Sequence, residues 1–183
     1  LVGDMKRGNV KLMMVHRADP WYGLPDSIGF KDALYDVPFV FSFSGIMDDT
    51  TSMSDLILPE HNYLEDWGVS IPDPGPGYEV IGLQQPVTRP FFESRGIHLG
   101  TRSCPDVLLT TAQGLGLDIG LEGDTFKDIL QSAVGELFDR NRGSVRSLDF
   151  KSFWNGMLQR GGWWDISAKY EGPQPKPQPF LEI

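Results

Sequence analysis

The segment Asp49-Thr50-Thr51-Ser52-Met53-Ser54-Asp55-Leu56-Ile57-Leu58-Pro59, with Leu64-Glu65-Asp66-Trp67-Gly68 behind it, constrains this chain more than any other stretch. Acidic and hydroxyl residues open a short helix, because their side-chain oxygens accept from the orphan amides of a first turn. Leu56-Ile57-Leu58 then reads as a buried strand, and Pro59 stops it because proline has no amide to donate to a ladder. An acidic loop ending in glycine follows. This order places carboxylates and backbone donors at the carboxyl edge of a parallel sheet, where α/β folds bind ligands.

The flanking sequence supplies the rest of such a sheet. Val10 to Val15 is an apolar run suited to a buried parallel strand, and the loop His16 to Pro25 follows it. Asp26 or Ser27 is placed to cap a helix through about Tyr35, with Ile28, Ala33 and Leu34 turned inward. Val37 to Phe43 is the expected second strand and Leu56 to Leu58 the third. Strand, helix, strand, helix, strand predicts the α/β class: a Rossmann-like, doubly wound, mostly parallel sheet with flanking helices. From Trp67 to Gly100 prolines and glycines predict an irregular loop, with Tyr78 to Val87 extended.

Extra C-terminal helices are expected after that loop. One starts at Ser103-Cys104-Pro105-Asp106, one is capped by Asp124 or Thr125 and runs to about Arg140, and one opens at Asp149. Gly161-Gly162-Trp163-Trp164-Asp165 reads as an aromatic turn. The organisation expected is an α/β cofactor-binding domain over residues 1–116, a helical extension packed on it over 117–171, and a proline-rich linker to a missing domain over 172–183. Leu1 to Lys6 reads as the end of a helix already under way, so the chain is expected to be part of a longer protein.

Composition narrows the function classes. The net charge of −9 argues against nucleic acid, whose phosphates need a clustered basic surface. No apolar run reaches the length of a membrane span, so direct insertion is not expected. The single cysteine, Cys104, cannot form an internal disulfide, and no Cys-x-x-Cys spacing suggests zinc or an iron–sulfur cluster. His16, His61 and His98 are too widely spaced to suggest a metal site. Cys104 is expected to be a small, partly buried filler.

The order of weak motifs resembles the molybdopterin oxidoreductases of the dimethyl-sulfoxide-reductase type. That family shows acidic-Thr-Ala-x-x-Ala-Asp, two or three apolar residues, Pro, and later Glu-x-x-Gly. Asp49 to Pro59 and Glu65 to Gly68 match this frame, with Thr51 and Ser54 where alanine is usual. The family's strand ending in Gly-x-Asn-Pro is similar to Val10 to Pro20, but the tetrad here is Arg17-Ala18-Asp19-Pro20, and the glycine is lost. Asp48-Asp49-Thr50 approximates the Thr-acid-Thr turn after the second strand, while Gln84 to Val87 and Pro105 to Leu108 resemble later landmarks. The proline loop and Leu58-Pro59-Glu60-His61 resemble subunits that exchange electrons with quinones or reduce sulfur compounds.

The resemblance covers roughly residues 1–115 and implies the third of four domains in a catalytic subunit. It implies binding of one of two molybdopterin guanine dinucleotides of a bis-MGD molybdenum cofactor, mainly through the nucleotide half. Molybdenum ligand and iron–sulfur cluster would lie in missing parts, the cluster in the N-terminal part. Implied partners are the missing domains of the same chain, and iron–sulfur and membrane-anchor subunits. A periplasmic, membrane-associated or cytoplasmic parent is equally compatible. Alone, the chain is expected to catalyse nothing.

The residues give this reading some independent footing. A dinucleotide needs amide donors for its diphosphate, acceptors for ribose hydroxyls and a carboxylate for the guanine edge. Asp19, Asp48 and Asp49 are candidate acceptors, and Ser42, Ser44 and Gly45 offer hydroxyls and a close backbone. Arg17 suits bidentate pairing with phosphate. The resemblance adds Ala18, Pro20 and Thr50 to the cofactor-binding set. Helix capping alone explains at least one of Asp48 and Asp49, and Asp19 before proline favours a turn on its own account. Two other readings stay open: a scaffold domain of a respiratory complex that has lost molybdenum, and a free-standing nucleotide enzyme using Cys104.

Overall fold

The computed structural model describes residues 1–73, 75–90, 96 and 100–169. The chain divides into two compact units, Leu1–Trp67 with Gln85–Ile129, and Gly68–Gln84 with Leu130–Ile183.

The first unit begins with helix α1 (Val2–Lys6) and carries strands β1 (Met13–His16), β2 (Val40–Ser44) and β3 (Leu56–Pro59). All are parallel in the order β1-β2-β3, with Met13 opposite Val40 and Phe41 opposite Leu56. The crossovers are short: α2 (Pro20–Gly23) and α3 (Phe30–Leu34) between β1 and β2, and α4 (Asp49–Ser52) between β2 and β3. Alternation along β1 and β2 turns Met13 and Val40 toward a core of Met5, Phe30, Ala33, Leu34 and Val37, which covers one face of the sheet. Helix α5 (Cys104–Gly114) follows the long loop.

The α/β class expected from the sequence therefore holds, with a parallel sheet flanked by helices and extra helices toward the C-terminus. Two local expectations are corrected. Leu56 to Leu58 was expected to be a buried strand, but β3 is an edge strand of this sheet, with Leu56 exposed. The helix expected from Asp26 to Tyr35 is broken by Gly29, whose φ of 70° interrupts it after a single 3-10 turn.

The second unit contains an antiparallel sheet that sequence patterning did not foresee. Strands β4 (Gly68–Ser70), β5 (Tyr78–Gln84) and β6 (Gly162–Lys169) lie in the order β4-β5-β6. The expected aromatic turn at Trp163-Trp164 is thus the start of a strand, Trp163 standing opposite Ile81 and Trp164 opposite Val80. Helix α7 (Phe150–Arg160) packs on β5 and β6. Its Asp149 cap accepts from the Ser152 amide, and Gly161 ends it in the left-handed conformation. Helix α6 (Phe126–Asp139) contains the division between the units, between Ile129 and Leu130. Phe153, Met157, Trp163 and Val134 are fully buried in this second core. No helix among the described residues is long and apolar enough to cross a membrane. His98 and the proline-rich stretch 172–183 lie outside the described residues.

Candidate functional site

The carboxyl edge of the parallel sheet gathers most of the residues singled out from the sequence. Strand β1 ends at His16, and the next residue, Arg17, has a φ of 50°. A left-handed backbone costs a non-glycine residue about 1 kcal/mol or more, because Cβ crowds the carbonyl oxygen. Arg17 stands where the motif frame carries glycine. The backbone shape that glycine would supply is retained while the position gains a cation.

Glu60 stabilises that choice. It directly follows β3, and its side chain is only 3% exposed. Arg17 Nε donates to Glu60 Oε2 at 2.9 Å and Arg17 Nη2 to Oε1 at 3.2 Å, a forked pairing. His16 Nε2 lies 2.8 Å from the same Oε1. Because β2 lies between β1 and β3, this cluster bridges over the end of β2, at the mouth of the sheet edge. The edge of Arg17 assigned to phosphate by sequence reasoning faces a carboxylate of the protein itself.

Asp19 ties the first two loops together. It caps α2, with Pro20 in the first turn, accepting from the Tyr22 amide at 3.3 Å. The same Oδ1 accepts from the Thr50 amide at 3.1 Å and the Thr50 hydroxyl at 2.6 Å. The Thr50 hydroxyl holds the Asp19 carboxyl below its ordinary value of 3.8; burial opposes this, while the amides of Tyr22, Thr50 and Asp49 assist. Thr50 Oγ1 in turn accepts from the Trp21 amide at 2.9 Å, so a buried threonine of α4 holds the start of α2.

The remaining candidates divide into supports and exposed groups. Ser42 is buried and bonds Thr51 Oγ1 at 2.9 Å, supporting α4 from within the sheet without reaching the surface. Asp48 caps α4 by accepting from the Thr51 amide at 2.7 Å. Ser44 Oγ donates to the Ile46 carbonyl at 2.7 Å and accepts from its amide at 3.2 Å, shaping the loop after β2. That loop presents Gly45 and the side chains of Ile46 (73% exposed) and Met47 (70% exposed) outward. Asp49 is exposed, and among the described residues its carboxylate accepts no hydrogen bond. Ala18 is exposed on the neighbouring loop.

The structure thus brings Arg17, Ala18, Asp19, Pro20, Thr50, Asp48 and Asp49 into two linked loops and leaves Ser42 beneath them. Sequence reasoning missed Glu60 as a member. The available signal was a carboxylate one residue past a strand-ending proline, matching a cation one residue past β1.

Cys104 opens α5 but is buried, and burial first, then the negative charge of Glu60, pushes its thiol up to about 11. Burial and the raised pKa fit the filler role expected for Cys104 rather than that of an activated thiol. His61 Nδ1 lies 3.0 Å from Thr101 Oγ1, and Glu65 completes a capping box with Asn62. Among the described residues no group of three His, Cys, Asp or Glu side chains is placed to hold a metal ion.

No family model matches this sequence. It is similar to the menaquinone reductase, molybdopterin-binding-like subunit of Nitratidesulfovibrio vulgaris (strain Hildenborough), with 35% identity over 133 residues. The match takes in 71% of this chain and 18% of that protein, so the chain corresponds to less than a fifth of its curated relative. The likeness to a molybdopterin-binding-like subunit agrees with the molybdopterin-oxidoreductase family that the motif order resembles.

Proposed function

We propose that this chain is the cofactor-gripping α/β part of a molybdopterin oxidoreductase subunit, holding the guanine dinucleotide end of a bis-MGD cofactor at the carboxyl edge of its parallel sheet. The observation that carries the reading is the Asp19–Thr50 tie, which fixes the loops after β1 and β2 side by side at the ligand-binding edge of an α/β sheet. The exposed Asp49 carboxylate suits the paired N–H donors of a guanine edge, and Arg17 suits a phosphate. These groups fit the nucleotide end. The donor set for a metal end falls elsewhere in a longer protein, together with any iron–sulfur cluster. When bound, the cofactor would supply two-electron redox chemistry at molybdenum, while Asp19, Thr50 and Asp48 hold the loops rigid and Asp49 and Arg17 orient the nucleotide. By itself the chain would not catalyse a reaction. Its partners would be the rest of the same polypeptide and electron-carrying, membrane-anchored subunits, with quinone exchange as the task of the assembly.

A second reading has its own observation. Most candidate groups are already engaged within the chain: the acceptors Asp19 and Asp48 by Thr50 and Thr51, and the donor Arg17 by Glu60. That economy suits a scaffold that has kept the architecture and lost the cofactor. Molybdenum and guanine-nucleotide content of the protein purified from its own host separates the two. Stoichiometric molybdenum and guanine support the gripping role, and a folded complex lacking both makes the domain a scaffold.

A further inference from the structure

The Glu60 carboxylate has two side-chain neighbours, Arg17 and His16. Glu60 is almost wholly buried, whereas Arg17 is 48% exposed and the His16 side chain 36% exposed. If Arg17 swings outward, Glu60 keeps the contact between its Oε1 and His16 Nε2 at 2.8 Å and is not left without a partner. Arginine can make this move on its long stem by changing side-chain rotamers, with no change in the left-handed backbone that carries it. The carboxylate sits over the end of β2, where a ligand entering the sheet edge would arrive. Its two oxygens meet the guanidinium in the forked manner that a phosphate would use.

We propose that Glu60 is an internal stand-in for phosphate, an anion of the protein that occupies Arg17 until the diphosphate of a nucleotide ligand replaces it. The inference rests on the nucleotide-gripping reading of this same edge and deepens it by assigning the exchange to one carboxylate. Glu60 contacts no ligand; it sets how readily Arg17 is released. The loops after β1 and β2 carry Asp19, Asp48 and Asp49. Asp19 and Asp48 are held by their own amide and hydroxyl donors, and Asp49 is exposed and interacts with Lys31. Glu60 is the carboxylate that holds the guanidinium in a forked pairing.

Calorimetric titration of the full chain with guanosine diphosphate, and separately with inorganic pyrophosphate, tests this. Glu60→Gln keeps the shape and removes the charge, so both ligands should bind roughly tenfold more tightly while the melting temperature falls. A merely structural role would lower both together. Glu60→Asp keeps the charge and should show no gain, and Arg17→Ala should cancel the gain of Glu60→Gln. Wild-type binding that Glu60→Gln does not improve overturns the exchange and leaves the nucleotide reading intact. Tighter pyrophosphate without guanosine diphosphate binding supports the exchange and removes the guanine assignment. No binding of either ligand to any variant removes both. Should Glu60→Gln fail to fold, the Arg17 Nε–H resonance of the wild-type chain decides: it must shift on saturation with either ligand, and an unmoved resonance overturns the proposal.

Discussion

The two units solve the same problem, holding a small sheet in place, by different physics. In the first, the sheet edge is fixed by charge and hydrogen bonds: Glu60 grips Arg17 and His16, and Asp19 grips Thr50. In the second, the fit is steric. Gly143, at a φ of 86°, lies so close to Trp163 that a Cβ would strike the indole, and Gly162 leaves the same lack of room against the Ile81 carbonyl. Trp163 Nε1 donates to the Arg142 carbonyl at 3.0 Å, fixing the ring in that notch. Each unit holds a non-glycine residue in the left-handed region, Arg17 in the first and Asn141 in the second, but of these two only the arginine brings a cation to the position.

The contrast can be broken or sharpened by substitution. The largest effect is expected at Gly143→Ala, where overpacking against Trp163 and a disfavoured backbone together cost about 4 kcal/mol. Hydrogen exchange should show protection lost along β5 and β6 and kept along β1 and β2. Equal loss in both sheets would mean that the units do not respond separately. Next, Glu60→Ala leaves the partly exposed Arg17 and His16 without their carboxylate and should cost about 1–2 kcal/mol in urea unfolding, with exchange loss confined to the parallel sheet.

The third effect is a pH response. The Cys104 thiol is pushed from 9.0 to about 11 in the folded state. The unfolded thiol ionises first, so stability should hold below pH 9.0 and fall between there and about 11. Cys104→Ala should remove that portion of the alkaline slope, and the native thiol should resist alkylation at neutral pH. The smallest effect is expected at Arg17→Gly. Relief of the left-handed strain offsets part of the lost ion pair, leaving a net change within about 1 kcal/mol. A loss as large as that of Glu60→Ala would show that Arg17 contributes nearly all of the cluster's stability.

Much of the first unit was legible in the sequence because its contacts are local in kind. Asp48 announces a helix start through its own side chain, and Val37 to Phe43 announces a strand through its apolar run, whereas Asp19 reads only as a turn residue although it caps the short helix α2. β6 was not legible. Gly161-Gly162 looks like a turn, and only pairing with β5, some eighty residues earlier, makes Trp163-Trp164 extended. Glu60 was missed for a related reason: its place after Pro59 matches that of Arg17 after His16, but only strand pairing brings these two positions, forty-three residues apart, together. The left-handed state of Arg17 was foreshadowed by the missing glycine of the tetrad, yet glycine's absence alone does not say whether the backbone shape went with it.

The pairing of β5 with β6 also governs the order in which the polypeptide can acquire structure during synthesis. All three strands of the parallel sheet, and the helices between them, lie before residue 60, so that sheet can close soon after its segment leaves the ribosome. The antiparallel sheet cannot. Tyr78–Gln84 must wait for Gly162–Lys169, and through that interval β5 has only β4 beside it and one ladder of amides and carbonyls open. The nascent chain therefore carries its aggregation hazard in the second unit, during the time needed to translate the helices between β5 and β6.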